Sequence, residues 1–179
     1  MRVSDHRYDR DRQRIDIALR FIRHEARTRT IRLWTGLTDD RIRKLYHSYA
    51  VSAAAGGAPS RHRGKSPRQP AFFLRTLRAR QEAALLASLC RLLGLLPLPR
   101  SAPPPPGVGR GELLCHAYEA YRHFVPQPLI SFEHAVLLVS CLAAGEELTL
   151  ARCRGCDALL VADRLALRPP RCTHCAAEP

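Results

Sequence analysis

Acidic side chains are scarce in this 179-residue chain: 16 stand against 29 lysines and arginines, a formal net charge of +13. The few acids form no cluster, so no paired carboxylates are offered for general acid–base work. Lysine is nearly missing as well. Only Lys44 and Lys65 are lysines, and the remaining basic residues are arginines. Long apolar runs are also lacking. The longest, Ala135–Ala144, falls well short of the ~20 residues that cross a bilayer. The start, MRVSDHRYDRDRQR, has neither the apolar core nor the small-residue cleavage site of a secretory signal. The expectation is a cytoplasmic protein with no membrane contact and reduced thiols. An odd cysteine count, 7, argues the same way against a disulfide framework. Catalytic signatures are missing too. There is no H-E-x-x-H (His24-Glu25 lacks its second histidine), no G-x-x-x-x-G-K-[ST], and no G-x-G-x-x-G after a strand. The expectation is a protein that is not an enzyme.

What is present begins with uneven charge. Residues 1–68 hold 17 basic and 7 acidic side chains, whereas residues 69–179 hold 12 and 9. A basic half on a soluble chain is the electrostatic footprint of a polyanion partner, most often nucleic acid. Residues 1–13 read as frayed. From Arg14, Ile15, Ala18, Leu19, Ile22 and Ala26 recur at helical spacing. Thr35-Gly36-Leu37 reads as a turn, Thr38 as an N-cap, and Asp39 and Asp40 suit the positive end of a further helix. Ile42, Leu45, Tyr46 and Tyr49 give that helix its apolar face. Helix, glycine turn, helix is the outline of a helix-turn-helix; Arg32 stands where a tight crossing usually needs a small residue.

The segment AAAGGAPSRHRGKSPRQP is interrupted by glycine and proline and carries Arg61, Arg63, Lys65 and Arg68 with no acid. It reads as an arm suited to phosphates. A long helix is expected over 71–95, with Phe73, Leu74, Leu77, Ala84, Leu85, Ser88, Leu89 and Leu92 buried. A proline run over 97–106 breaks it. A second amphipathic helix follows with Leu114, Tyr118, Tyr121 and Val125 inward. Ser131 caps a third over 132–144, stopped by Gly145. Cys90, Cys115 and Cys141 fall inside these helices and read as small core residues.

The other four cysteines stand in CRGCDALLVADRLALRPPRCTHC, a C-x2-C-x15-C-x2-C pattern. Two cysteines three apart in a tight turn can aim both sulfurs at one point, and a second pair completes a tetrahedron with Zn–S near ~2.3 Å. The flanking LTLAR and ALLVAD stretches read as short strands. Cys153, Cys156, Cys172 and Cys175 are the predicted ligands of one zinc ion per chain. Four thiolates leave no open position for water, so the role is structural. A redox dithiol, an iron–sulfur cluster, or His174 in place of a cysteine are the rival readings.

The order of parts carries a resemblance. TGLTDDRIRKLYHSYA, a basic loop GKSPRQPAFF before a long helix, AYEAYRHFV, and an apolar helix running into AAGEELTLARCRGC with a final C-x-x-C together resemble the FlhC family, a subunit of the bacterial flagellar master transcriptional activator. The resemblance covers roughly Ile15 to Cys175. The proline run looks like an insertion relative to that family, and the basic tail that often follows its zinc site has no counterpart in these residues. The resemblance implies a largely helical protein with zinc on the four cysteines. It also implies a hetero-oligomer with an FlhD-like protein, binding to promoter DNA, and recruitment of RNA polymerase.

The expected fold is mainly α, with a helix-turn-helix-like N-terminal part and a small zinc-ribbon-like β element at the C-terminus. The expected regions are 1–57 (basic, helical), 58–70 (basic loop), 71–147 (helical core and partner interface) and 148–179 (metal-binding). The expected DNA contacts are Arg41, Arg43 and Lys44 on the second helix of the pair, with Arg61, Arg63, Lys65 and Arg68 in the loop. An RNA-binding zinc ribbon is a rival reading, weakened by the few aromatics available for stacking. A pure assembly subunit is another.

Overall fold

Arginine and aspartate alternate along the first helix, α1 (Asp5–Arg23), which therefore starts well before the apolar period at Arg14. The expectation of a frayed 1–13 fails over 5–13. Charged pairs at helical spacing carry a helix through a stretch with no apolar face; Arg12 and Asp16 lie 3.9 Å apart at i,i+4. The computed structural model describes residues 5–52, 64–96 and 105–177. It is mainly helical with one small C-terminal sheet, as the patterning predicts. It divides into two compact units.

The first unit comprises the described residues of 1–66 together with 105–115. It holds α1, α2 (Thr28–Thr35), α3 (Asp39–Ser52) and the beginning of α5 (Val108–Phe124). Gly36 ends α2 at φ 70°, and its N–H donates to Arg32 O. Thr38 Oγ1 then accepts from Arg41 N–H at 3.4 Å, and Asp39 and Asp40 occupy the first turn of α3. The predicted helix–turn–helix is thus present, cap for cap. Its core is Ile17, Ala18, Phe21, Ile22, Ile31, Trp34, Leu37, Ile42 and Tyr46, all buried. Phe21 and Trp34 rings stand 6.0 Å apart. Gly111 of α5 lies against α1 so closely that a Cβ there would sit 3.2 Å from Ile17 Cγ2. Arg32, the residue that looked too large for the crossing, points outward and lies 3.7 Å from Asp39.

The second unit takes the described residues of 67–104 and 116–179. The predicted long helix over 71–95 is broken. A 3-10 turn, Pro70–Leu74, precedes α4 (Leu77–Leu92). The reason is Thr76, whose backbone is extended and whose Oγ1 accepts from Ala79 N–H at 3.1 Å, a new N-cap. The break resets the helical phase, so a stripe extrapolated from Phe73 is misplaced. Ala79, Glu82, Ala83, Leu86, Ala87 and Cys90 are buried instead, while Leu77 and Leu92 are 64% and 82% exposed. Of the proline run, residues 97–104 lie outside the described residues.

Leu114, Tyr118 and Tyr121 of α5 are buried as predicted. Ser131 caps α6 (Phe132–Ala144) by accepting from His134 N–H, and Gly145 closes it at φ 65°. Between α4 and α5 lies a buried carboxylate. Glu82 accepts hydrogen bonds from Tyr121 OH, from Leu129 N–H at 2.8 Å and from Arg78 Nε at 2.7 Å. Burial alone would raise its pKa, but these three donors outweigh it and hold the carboxyl below its usual range. The same burial and the adjacent carboxylate push the Tyr121 hydroxyl well up.

The chain then forms an antiparallel pair, β1 (Leu148–Arg152) and β2 (Leu159–Asp163), in the register Leu150↔Val161. The short helix α7 (Thr173–Ala177) ends the described chain. α4 packs against β2 and α7, and α6 against β1.

Candidate metal centre

Cys153 sits at the end of β1 and Cys156 in the turn that follows it. Cys153 N–H donates to Ala158 O and Asp157 N–H to Cys153 O, both at 2.9 Å. The turn closes through Asp157 at φ 59°. Gly155 leaves room for the second pair, because a Cβ on it would lie 2.9 Å from Cys175 Sγ. The second pair arrives on another element: Cys172 precedes α7 and Cys175 lies within it. Two bonds fix its position. Arg154 N–H donates to Pro170 O at 3.2 Å, and Gln81 Nε2 of α4 donates to Thr173 Oγ1 at 3.1 Å.

All four sulfurs lie within 4.8 Å of one another, and Cys156 Sγ and Cys172 Sγ are 3.6 Å apart. A tetrahedron with Zn–S near ~2.3 Å sets its sulfurs roughly 3.8 Å apart. The spacing suits a shared cation and is far from the ~2.05 Å of a disulfide bond. Amides supply the thiolate environment. Cys172 N–H donates to Cys153 Sγ at 3.2 Å, Gly155 N–H to Cys153 Sγ at 3.4 Å, and Cys175 N–H to Cys172 Sγ at 3.2 Å. The donor from Cys172, the largest influence, helps draw the Cys153 thiol down to about 6. Cys175, crowded first by Cys172 and then by Cys156, is pushed up to about 12. Sulfurs this close cannot all ionise without a cation, and a divalent ion removes the conflict. The cluster can hold one metal ion with all its positions filled by sulfur.

The three remaining cysteines are not part of this cluster. Cys90 and Cys115 are fully buried, and burial pushes the Cys90 thiol up to about 12, which makes it inert. What sequence reasoning missed around the metal centre is its supporting shell: Gly155, Gln81 with Thr173, and the helical setting of Cys175. Only the glycine had a local signal, as the residue inside the first C-x-x-C.

The predicted DNA contacts are not gathered in the same way. Arg41 is exposed and makes a two-pronged contact to Asp11 of α1, at 3.0 and 2.7 Å. That hydrogen bond holds the Asp11 carboxyl below its usual range. Arg43 pairs with Asp40 at 2.9 Å. Lys44, Lys65 and Arg68 are exposed. Arg61 and Arg63 lie outside the described residues. Among the described residues no helix is long and apolar enough to cross a membrane.

Fold and site together define a mainly helical protein with a closed four-cysteine cluster on a C-terminal β ribbon. Neither a protein-family model nor a curated protein matches the chain.

Proposed function

We propose that this chain is a DNA-binding subunit of a transcriptional activator, of the FlhC type, and that its four cysteines hold one Zn²⁺ as a structural ion. The observation that carries the reading is the arrangement of parts. A basic helix-turn-helix unit precedes a helical body that ends in a sulfur-saturated ribbon, in the order of motifs the FlhC family has. Zinc fits four sulfurs better than a hard cation does. With no position left for water or substrate, the ion supports folding, to which such sites contribute on the order of 10–16 kcal/mol. An FlhD-like protein is the partner in this reading, promoter DNA the ligand, and RNA polymerase the machine recruited.

Arg41 and Arg43 already face carboxylates, so the first DNA contacts fall to Lys44, Lys65 and Arg68. Arg61 and Arg63 belong to the same basic loop as Lys65 and Arg68. Neutralising several phosphates gives affinity a steep salt dependence. The test is co-expression with the FlhD-like protein of the same cell, then footprinting on promoter DNA from 50 to 200 mM salt, roughly the range over which such contacts are lost. A protected promoter segment that fades with salt is expected. A co-purified complex that ignores duplex DNA, or prefers single-stranded RNA in competition, overturns the reading.

A further inference from the structure

The strand β2 has an edge that nothing in its own sheet uses. Cys153 N–H bonds to Ala158 O, and Arg164 N–H to Glu147 O. Both pairs continue the β1–β2 register. In an antiparallel ladder the hydrogen-bonded pairs alternate, so Leu160 and Ala162 face β1. The N–H and C=O groups of Leu159 and Val161 therefore point the other way, and they have no hydrogen-bond partner among the described residues.

A groove of about 660 Å³ runs along that outer edge. Every residue from Ala158 to Asp163 lines it. A cavity over one face of a strand would touch alternate residues; contact with six in a row means that the cavity follows the backbone edge. Leu74, Gln81 and Ala84, from the 3-10 turn and α4 that pack against β2, also line it, as do Ala166 and Pro170. Arg80, Arg168 and Arg171 also line it, against a single acid, Asp163. Asp163 is already engaged by Leu165 N–H at 2.8 Å. Leu165 and Leu167, on either side of the groove residue Ala166 in sequence, are 81% and 102% exposed.

We propose that this groove is a docking site for an extended acidic segment of a partner protein, which adds as a third strand to the outer edge of β2. Backbone pairing to Leu159 and Val161 supplies register and affinity. The apolar walls receive alternate side chains, and the three guanidinium groups select carboxylates on the other face. β2 spans five residues, so the occupant is a segment of about that length.

The probe is a seven-residue peptide alternating glutamate with valine, with its lysine–valine counterpart as control, titrated into the whole chain. Amide hydrogen exchange of Leu159 and Val161 is the readout. The Leu160 N–H, bonded to β1, reports in every variant whether the sheet is intact. The glutamate peptide is expected to slow exchange at Leu159 and Val161 while the lysine peptide does not. The double variant Arg80→Glu, Arg168→Glu, which leaves the metal ligands and their neighbours untouched, should weaken binding roughly tenfold. Leu159→Pro removes one outer donor at the first residue of an edge strand, a position where proline is tolerated, and should weaken it too. Three results overturn the proposal: no binding at millimolar peptide; equal binding of both peptides; or binding that leaves exchange at Leu159 and Val161 unchanged, as a simple anion site for side-chain carboxylates would give.

Discussion

The first unit and the C-terminal ribbon are stabilised in opposite ways. In the first unit three helices and the start of α5 bury large apolar side chains, among them Phe21, Ile22, Ile31 and Ile42, each fully covered. Among the described residues from 148 to 176 only Leu148, Cys153 and Val161 are buried, too little apolar surface to order about thirty residues against their conformational entropy. There the four sulfurs stand where a core would be, and α4 and α6 provide the surface they are held against. In the proposed structural role, a metal ion on those sulfurs is the cross-link that supplies what apolar burial does not.

The largest break in that comparison is Cys153→Ser. It removes the best-supported thiolate and should abolish metal binding, melt the ribbon by circular dichroism and near-ultraviolet probes, and leave the thermal transition of the first unit in place. Next is Phe21→Ala, the mirror experiment. It should destabilise the first unit by ~3–5 kcal/mol with metal content unchanged by atomic absorption.

Glu82→Ala comes third. It strands Tyr121 OH and the Leu129 amide without an acceptor in a buried site and should cost about 2–4 kcal/mol in the second unit. The pH dependence has a definite sign. Because the Glu82 carboxyl is held below its ordinary value, its contribution is fully present above that value and fades as pH falls through the folded one. Denaturant titrations should therefore lose stability below about pH 4.5. Glu82→Gln should flatten that loss.

The smallest stability effect belongs to Asp11→Asn. The Asp11–Arg41 pair is exposed, so the melting temperature should not move measurably. The variant unmasks a guanidinium on the basic unit, and in the proposed DNA-binding role it should tighten duplex binding and steepen its salt slope by about one charge. An unchanged slope would place Arg41 away from the DNA.

What could be read in advance was local chemistry. Gly36, Thr38, Ser131 and Gly145 bound helices as their side chains or left-handed backbones demand, and the C-x2-C-x15-C-x2-C spacing points to a four-sulfur cluster. The misreadings have physical causes. Thr76 capping restarts a helix within what looks like one apolar stripe, and the phase slips by more than one residue, leaving Leu77 and Leu92 in solvent. The charged start of α1 shows no apolar period, so its helicity is invisible to a pattern search. Arg41 meets Asp11 from 30 residues away, and Glu82 meets Tyr121 from 39. Such pairings, like the groove beside β2, exist only once the chain has folded.

The most direct test of the central claim is amide hydrogen exchange on the metal-loaded chain before and after a zinc chelator. Loss of protection over Leu148–Ala177, with Phe21, Ile31 and Ile42 as slow as before, is the predicted result. Unchanged protection across the ribbon, or loss spread evenly over both units, would contradict it.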